Sequence, residues 1–494
     1  MNHRSVLFIA PLLLFTVLTL LSTPPVRAQL RLRDAIDAAS VRHEGIAAAR
    51  AQEEAASHGV SIAWGRLLPE VQVDVLYTHM DKDLVLDLDP IRSVMIHLQS
   101  GNASALANLE SMLTQGRPLT AQERAAAASR AAGTLDASLP HFQEVLKERT
   151  FLQGAVTARQ PIFAGGKILA GIRAARAQED MAMARRLAVE NDAVVETVTR
   201  YLGVLFAREN LSVRRAALDA IEQHAQRATK LRESGVIARH DEQRAEVALA
   251  EARRDVIDAT QKLRLAETAL RSLLPDLGDN PVLADSLHPL AMGLSQDAWV
   301  GQCLRGNPSL RQLRSAHDAM REKGKASFGN YLPTVYGFGM VNLFDHYMID
   351  KAEPKWAVGL GASFTLFDGF RRSNEHQQIA LEAEAVDASV RESERKLSLL
   401  VRSTEMNAAL AAEQFQALEA AREQAEENIR LNARRFDEGL GTSLELIDAQ
   451  LSWKAIMLKR AQAMHERAIA VLSLHALQGD AAAFLRDWTN DRQP

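Results

Sequence analysis

The sequence predicts an α+β membrane protein, with long helical hairpins and four membrane-length strands arranged as an internal two-fold repeat. Four observations predict this. Two stretches, Lys167 to Leu274 and Phe370 to Leu477, each follow a strand-like segment ending in Phe and Gly: Ile162-Phe163-Ala164-Gly165 and Leu366-Phe367-Asp368-Gly369. Each then reaches a glycine turn after the same interval, 72 residues from Phe163 to Gly235 and 72 from Phe367 to Gly439. A carboxylate follows each turn at the same distance, Asp241 and Glu445. Finally, segments ahead of each long stretch alternate apolar and polar residues with the period of a strand.

Residues 1–28 read as a secretory signal peptide that is removed. Arg4 supplies the positive start, Val6 to Leu21 the apolar run and Val26-Arg27-Ala28 the small-residue cleavage site. That run is short for a membrane span of about 20 residues. Cys303 is the only cysteine, which rules out a lipid anchor at the cleavage site and an intrachain disulfide. Lys and Arg number 58 against 62 Asp and Glu, a formal charge of −4 that becomes −6 once Arg4 and Arg27 leave. Such a balance offers nothing to nucleic acid. No later run is apolar enough for a transmembrane helix, so a membrane role must use strands.

The first repeat is expected over 29–275. A helix from about Arg33 to Arg66 is stopped by Leu67-Leu68-Pro69. The strand at about 70–80 places Val71, Val73, Val75 and Tyr77 on one face and Gln72, Asp74 and Thr78 on the other. An insertion, 82–149, has helical character: Asp89-Pro90 can open one helix, and Thr120 to Glu123 forms a capping box before an alanine run. A strand at 151–163 leads into a long helix, 167–233, interrupted only by Gly171 and Gly203. At about 1.5 Å per residue that helix makes a rod of roughly 100 Å, which needs neighbours of equal length to cover its apolar stripe. A returning helix, 241–273, provides one. Its seam is Ala245, Leu249, Ala252, Val256, Ala259, Leu263, Ala266, Leu270 and Leu273, an alternation of four and three. The first helix has the right length to stack end to end with it along the rod.

A linker is expected at 276–295 and the second repeat at 296–478. It reads as a helix, strands at about 334–344 and 355–367, a long helix 370–436 and a returning helix 445–477. Its first strand alternates Tyr336, Phe338 and Met340 with Gly337 and Gly339. In its second, Trp356, Val358, Leu360, Ala362, Phe364 and Leu366 oppose Ala357, Gly359, Gly361, Ser363 and Thr365. The hairpin between them is short, Asp345 to Pro354, and a tail follows at 479–494. Four strands cannot close a barrel, and open edges in lipid leave backbone groups unpaired at several kcal/mol each. Closure therefore demands further copies, and a trimer gives 12 strands. The small-residue face is expected to line the lumen and the Trp/Val/Leu/Phe face to meet lipid. The insertion joins two strands at the end away from the helices and is expected at the exterior mouth.

The duplicated strand–rod layout resembles the TolC-type outer-membrane efflux family. So do the Leu-Pro before the first and third strands, the Pro-Ile-Phe-x-Gly-Gly and Leu-Phe-Asp-Gly helix entries and the glycine-bearing tips. The resemblance runs from about Leu30 to Gln478. It implies a trimeric 12-stranded barrel in the bacterial outer membrane, continued by an α-barrel tunnel into the periplasm. It further implies a passive conduit for drugs, other small molecules or proteins, in a tripartite efflux or type I secretion system. The implied partners are a periplasmic adaptor and an inner-membrane pump of RND, ABC or MFS type.

Glu445 and Asp448 lie three apart on one helix face. In a trimer that face presents six carboxylates around one axis, where crowded like charges favour cation binding. The resemblance implies that they form the acidic constriction at the periplasmic entrance. It also implies a latch there: Asp241 matches its acidic member and Phe436 its aromatic one, without the hydroxyl. Gly441 stands where the family has arginine, so closure falls to other groups, such as Arg239 or Arg435. The tips, with Gly235, Val236, Ile237, Gly439, Leu440 and Thr442, are the expected adaptor-docking surface.

No His-Glu-x-x-His, Gly-x-Ser-x-Gly, phosphate-binding loop or cysteine pair is present. An enzyme, a cofactor and a bound metal are therefore not expected. Two other readings are a trimeric coiled-coil adhesin or structural protein of the envelope, and a soluble periplasmic scaffold or adaptor. The internal duplication speaks against the first. Two long rods with four membrane-length strands speak against the second.

Overall fold

The computed structural model describes residues 30–274, 282–291, 293–344 and 354–490. The signal peptide at 1–28, residues 275–281 and 292 of the expected linker, 345–353 of the expected hairpin and 491–494 of the tail lie outside the described residues. The elements are α1 (Leu32–Arg42), α2 (Glu44–Gly65), β1 (Glu70–His79), β2 (Leu84–Asp87), α3 (Asp89–Gln115), α4 (Ala121–Ser138), β3 (Gln143–Lys147), β4 (Thr150–Phe163), α5 (Lys167–Glu233), α6 (Arg239–Arg271), α7 (Gln296–Gly306), α8 (Pro308–Phe328), β5 (Thr334–Phe344), β6 (Trp356–Ser363), α9 (Arg371–Asp437), α10 (Ser443–Gln478) and α11 (Phe484–Asn490).

Helices α5 and α9 are each 67 residues long. Both are free of proline and rich in Ala, Arg, Glu and Leu, the strongest helix formers. Ion pairs one turn apart brace them, including Arg186–Glu190 at 2.8 Å, Lys396–Glu392 at 2.7 Å and Arg422–Glu426 at 2.8 Å. Such pairs add only tenths of a kcal/mol each, so packing must supply the rest.

The chain divides into two units. The first comprises residues up to Ser61, Gly171–Gly324 and His376 onward. In it α5 carries α2 along its early turns, where Arg186 meets Glu53 at 2.5 Å, and α6 along its later turns, where Arg253 meets Glu222 at 3.1 Å. Likewise α9 meets α8 through Arg314 and Glu394 (2.7 Å) and α10 through Arg460 and Glu419 (2.6 Å). Alanines at the contacts, among them Ala245, Ala252 and Ala259 of α6 and Ala408 and Ala411 of α9, are buried. Small side chains there let the helix backbones approach. The largest apolar cluster gathers Leu32 and Ala35, Tyr201 and Leu202, Val471 and Leu472, and Phe484 and Trp488.

Three expectations are refined here. Residues 282–291 of the expected linker pack into the core: Leu283 and Leu290 are buried, and Asp285 Oδ2 accepts the Leu32 N–H at 2.9 Å and lies 2.6 Å from the Tyr201 hydroxyl. Part of the expected tail is ordered as well. Residues 484–490 form α11, which buries Phe484 and Trp488 because a spacing of four puts both rings on one face. The single helix over 33–66 is also two helices. His43 takes an extended conformation between them, and its ring covers Gly45, where a Cβ would lie 2.8 Å from it.

The second unit, Ile62–Ala170 with Lys325–Glu375, holds an antiparallel sheet in the order β1-β4-β5-β6. Its register pairs Val73 with Val156, Val156 with Val341, and Val341 with Trp356. Paired residues share a face, so Val71, Val73, Val75, Val341, Trp356, Val358 and Leu360 form one apolar surface. Trp356, Val358 and Leu360 are 64%, 72% and 75% exposed. The other face carries Glu70, Gln72, Asp74, Thr157, Arg159 and Asn342. Contrary to expectation, that face is not lined by small residues alone. Tyr336 and Phe338 lie over Gly361 and Gly359, filling the space that the glycines leave. Pro161, which has no N–H to give, sits at a register shift. Strand β6 stops at Ser363 rather than at 367, because its partner β5 begins only at Thr334, after Pro333.

The insertion is not purely helical. β2 and β3 pair antiparallel with a bulge at Leu84/Val85, and α3 and α4 form a hairpin beyond them. Pro90 stands in the first turn of α3, and Thr120 and Glu123 cap α4 reciprocally. The β2–β3 pair escaped sequence reading because four or five residues are too few to show a period against two long helices.

Candidate functional site

Both hairpin tips end in the same turn. In the first, the Val236 N–H donates to Leu231 O (2.8 Å) and the Gly235 N–H to Arg232 O (2.9 Å). In the second, Leu440 donates to Arg435 O (2.8 Å) and Gly439 to Phe436 O (3.0 Å). This paired closure requires a left-handed residue, and Gly235 and Gly439 supply φ of +77° and +71°. Val236 and Leu440 project outward, 54% and 70% exposed, while Ile237 packs against the cluster beneath.

The matching positions differ in chemistry. Arg232 and Glu242 form an ion pair at 2.5 Å in the first tip. Their counterparts 204 residues later, Phe436 and Leu446, are both 1% exposed. They pack with Ala225, Ala228 and Ala245, so apolar residues at the second tip are buried against α5 and α6. Phe436 is thus part of a packed core.

Thr442 caps α10. Its N–H donates to Glu445 Oε2 at 3.0 Å, and the Glu445 N–H donates to Thr442 Oγ1 at 3.3 Å. Arg435 approaches the same carboxylate at 4.0 Å and reaches Leu440 O at 3.4 Å. Glu445 and Asp448 are exposed, with Leu444, on the side of α10 opposite Ser443, Leu446, Ile447 and Gln450. Gly441 explains itself sterically: a Cβ there would lie 3.1 Å from Arg435 Cβ and 3.2 Å from Phe436 N. Asp241 is half-buried, 3.5 Å from the His240 ring nitrogen.

Sequence reading missed the contacts that join the two tips. His224 Nε2 lies 2.7 Å from Ser443 Oγ, and its ring meets Phe436 edge-on at 4.7 Å. Burial, with Arg227 nearby, pushes the His224 pKa down to about 4, against Asp437 and Asp241. Its Nδ1 is buried with no hydrogen-bond partner. Nearby, Arg227 pairs with Asp437 at 3.3 Å. One signal was available: the counterpart of His224 is Asn428, and a difference between copies marks a place where the symmetry is used. Higher along the helices, Asp255 of α6 binds Lys454 of α10 (3.0 Å), Arg254 (3.0 Å) and Arg214 of α5 (3.4 Å). Burial opposes ionisation of Asp255, but these cations hold its carboxyl below the usual range. Among the described residues, no three His, Cys, Asp or Glu side chains cluster as a metal site.

Residues 146–275 and 299–480 match the family model described as outer membrane efflux protein. The chain belongs to this family. The outer membrane efflux protein family comprises channels rather than enzymes, and its members are proteins of the outer membrane. The cobalt-zinc-cadmium resistance protein CzcC of Cupriavidus metallidurans is 32% identical over 113 residues, 23% of this chain and 27% of that protein. Among solved structures, the outer membrane protein VceC of Vibrio cholerae aligns with a TM-score of 0.67 at 15% identity, covering 91% of this chain and 96% of VceC. The Campylobacter jejuni CmeC outer membrane channel aligns at 0.66 and 13%, covering 92% and 88%. At such identities the likeness is one of fold.

Proposed function

We propose that the chain is one subunit of a homotrimeric efflux channel that spans the outer membrane and extends into the periplasm. The observation that carries this reading is the sheet. One face is apolar and exposed, the other carries Glu70, Gln72, Asp74, Thr157, Arg159 and Asn342 beside Tyr336 and Phe338, and β1 and β6 each have a free edge among the described residues. A sheet with these properties suits a barrel wall, lipid outside and water inside. Three copies supply 12 strands and remove every edge. In this reading residues 1–28 are removed on export, and repeats 29–275 and 296–478 each give two strands and one helical hairpin.

The tips at Gly235–Ile237 and Gly439–Thr442 meet a periplasmic adaptor, which couples the channel to an inner-membrane pump. Around the threefold axis, Glu445 and Asp448 form the acidic constriction. The latch uses the groups this chain provides: His224 with Ser443, and Arg227 with Asp437, tie the hairpins together, while Arg435 takes the place beside Glu445 that Gly441 leaves empty. The internal repeat and the membrane-facing sheet disfavour the adhesin reading.

Native mass spectrometry in detergent is expected to give a trimer, and planar bilayers an ion-conducting pore. A water-soluble monomer that passes no current would remove the proposal. Asp448→Asn is expected to reduce cation preference in reversal-potential measurements. It is a cleaner test than Glu445→Ala, which also removes the cap on α10. Unchanged selectivity in Asp448→Asn and in the double variant with Glu445→Ala would rule out the acidic ring.

A further inference from the structure

We propose that the insertion between β1 and β4 is a self-association element, in which α3 packs against the α3 helices of further copies of this chain. The inference rests on the trimer proposed above. The hairpin α3–α4 is built inside out. The buried residues of α3 are Arg92, Ser100 and Ser111, and polar bonds join it to α4 and the turn before it. Arg92 donates to Leu139 O (3.1 Å) and pairs with Asp136 (2.8 Å), Ser104 donates to Arg124 O (3.0 Å), and Asn108 Oδ1 accepts the Leu119 N–H (2.8 Å).

The opposite face is apolar and open. Ile91, Met95, Leu98, Asn102, Ala105, Leu109 and Met112 recur at alternating intervals of four and three, and all are exposed. Leu106 and Leu113 widen the stripe and are 66% and 79% exposed. A seven-residue period matches a second helix rather than a flat surface, because helices must coil around each other to keep such a seam together. Asn102 at its centre is costly against hydrocarbon, whereas a single polar residue in a helical seam sets register between copies.

Lipid is also disfavoured by charge. Interfacial helices carry Lys and Arg on the polar face to meet anionic headgroups. The only Arg or Lys in α3 is Arg92, whose side chain is 8% exposed and committed to α4. Copies of α3 meet without strong like-charge repulsion, since Asp89, Arg92 and Glu110 are its only acidic or basic residues besides His97. The interface is continuous with barrel closure. β1 runs into the insertion where His79 pairs with Thr150, so the contacts that join sheets also gather the hairpins.

The test uses full-length protein from outer membranes, where Cys303 is the only native cysteine and is buried. Leu98→Cys is expected to cross-link between copies with a short bismaleimide, whereas Ser129→Cys on the exposed side of α4 is not. Adding Leu109→Glu to Leu98→Cys should cut cross-linking at least fivefold while the native mass stays trimeric. A trimeric mass with no Leu98→Cys cross-link, or with equal cross-linking at both sites, overturns the seam and leaves the channel reading standing. Labelling of α3 by a photoactivatable lipid in place of cross-linking overturns it in favour of the membrane. A monomeric mass overturns both.

Discussion

His224 makes the tip sensitive to pH. It is neutral in the folded protein because burial has lowered its pKa from about 6.5 to about 4. Between those values the unfolded chain binds the extra proton and the folded chain does not. Stability is therefore lost as pH falls through that window, with no further loss from this group below it. The unfolding temperature of the detergent-solubilised protein is expected to drop between pH 7 and pH 4.5, and to drop less in His224→Asn, which installs the residue that the second copy carries as Asn428. Equal drops would clear His224 of the role. The cap at Thr442 is a separate matter, because its partners are local. Thr442→Ala is expected to cost about 1 kcal/mol wherever the hairpins sit.

At the scale of elements, the glycines divide by what surrounds them. Gly171 lies within α5 with open space where a Cβ would go. Gly171→Ala should stabilise by up to about 1 kcal/mol, since it removes backbone freedom from the unfolded chain without a clash. Gly361 lies in β6 with Tyr336 Cζ 2.4 Å from the same point. Gly361→Ala must push that ring away and is expected to lower the yield of the proposed trimer as a heat-resistant band on gels. If both variants behaved alike, the aromatic filling of the glycine face would have no role. Both residues read as plain glycines in the sequence, one in a helix and one in a strand. The neighbour that separates them belongs to another strand.

For the whole molecule, the decisive property is the two-sidedness of the sheet. Gln72 and Val73 are adjacent in β1 and point to opposite faces. In the proposed barrel, Val73→Arg puts a charge on the lipid side, at about 2–4 kcal/mol near the middle of a bilayer, and is expected to block outer-membrane assembly. Gln72→Arg should assemble and change conductance instead. Fractionation and bilayer recordings separate the two outcomes, and normal assembly of Val73→Arg would reverse the assignment of faces. The ion-pair network at Asp255 also belongs to this scale, because it spans α5, α6 and α10. Asp255→Ala would strand Lys454 and Arg214 and should destabilise more than loss of an exposed pair such as Lys262–Asp258.

Periodicity and spacing alone determined the long helices, the alternating strands, the repeat and the glycine turns. Each of these follows from the geometry of a single element, which neighbours in sequence share. Only the tertiary structure decided that Phe436 and Leu446 are core while Arg232 and Glu242 form an ion pair, that His224 meets Ser443, and that Leu283, Leu290, Phe484 and Trp488 complete the core. Burial at these places comes from partners far away in the chain. A polar or apolar side chain carries no local mark of the surface that will cover it.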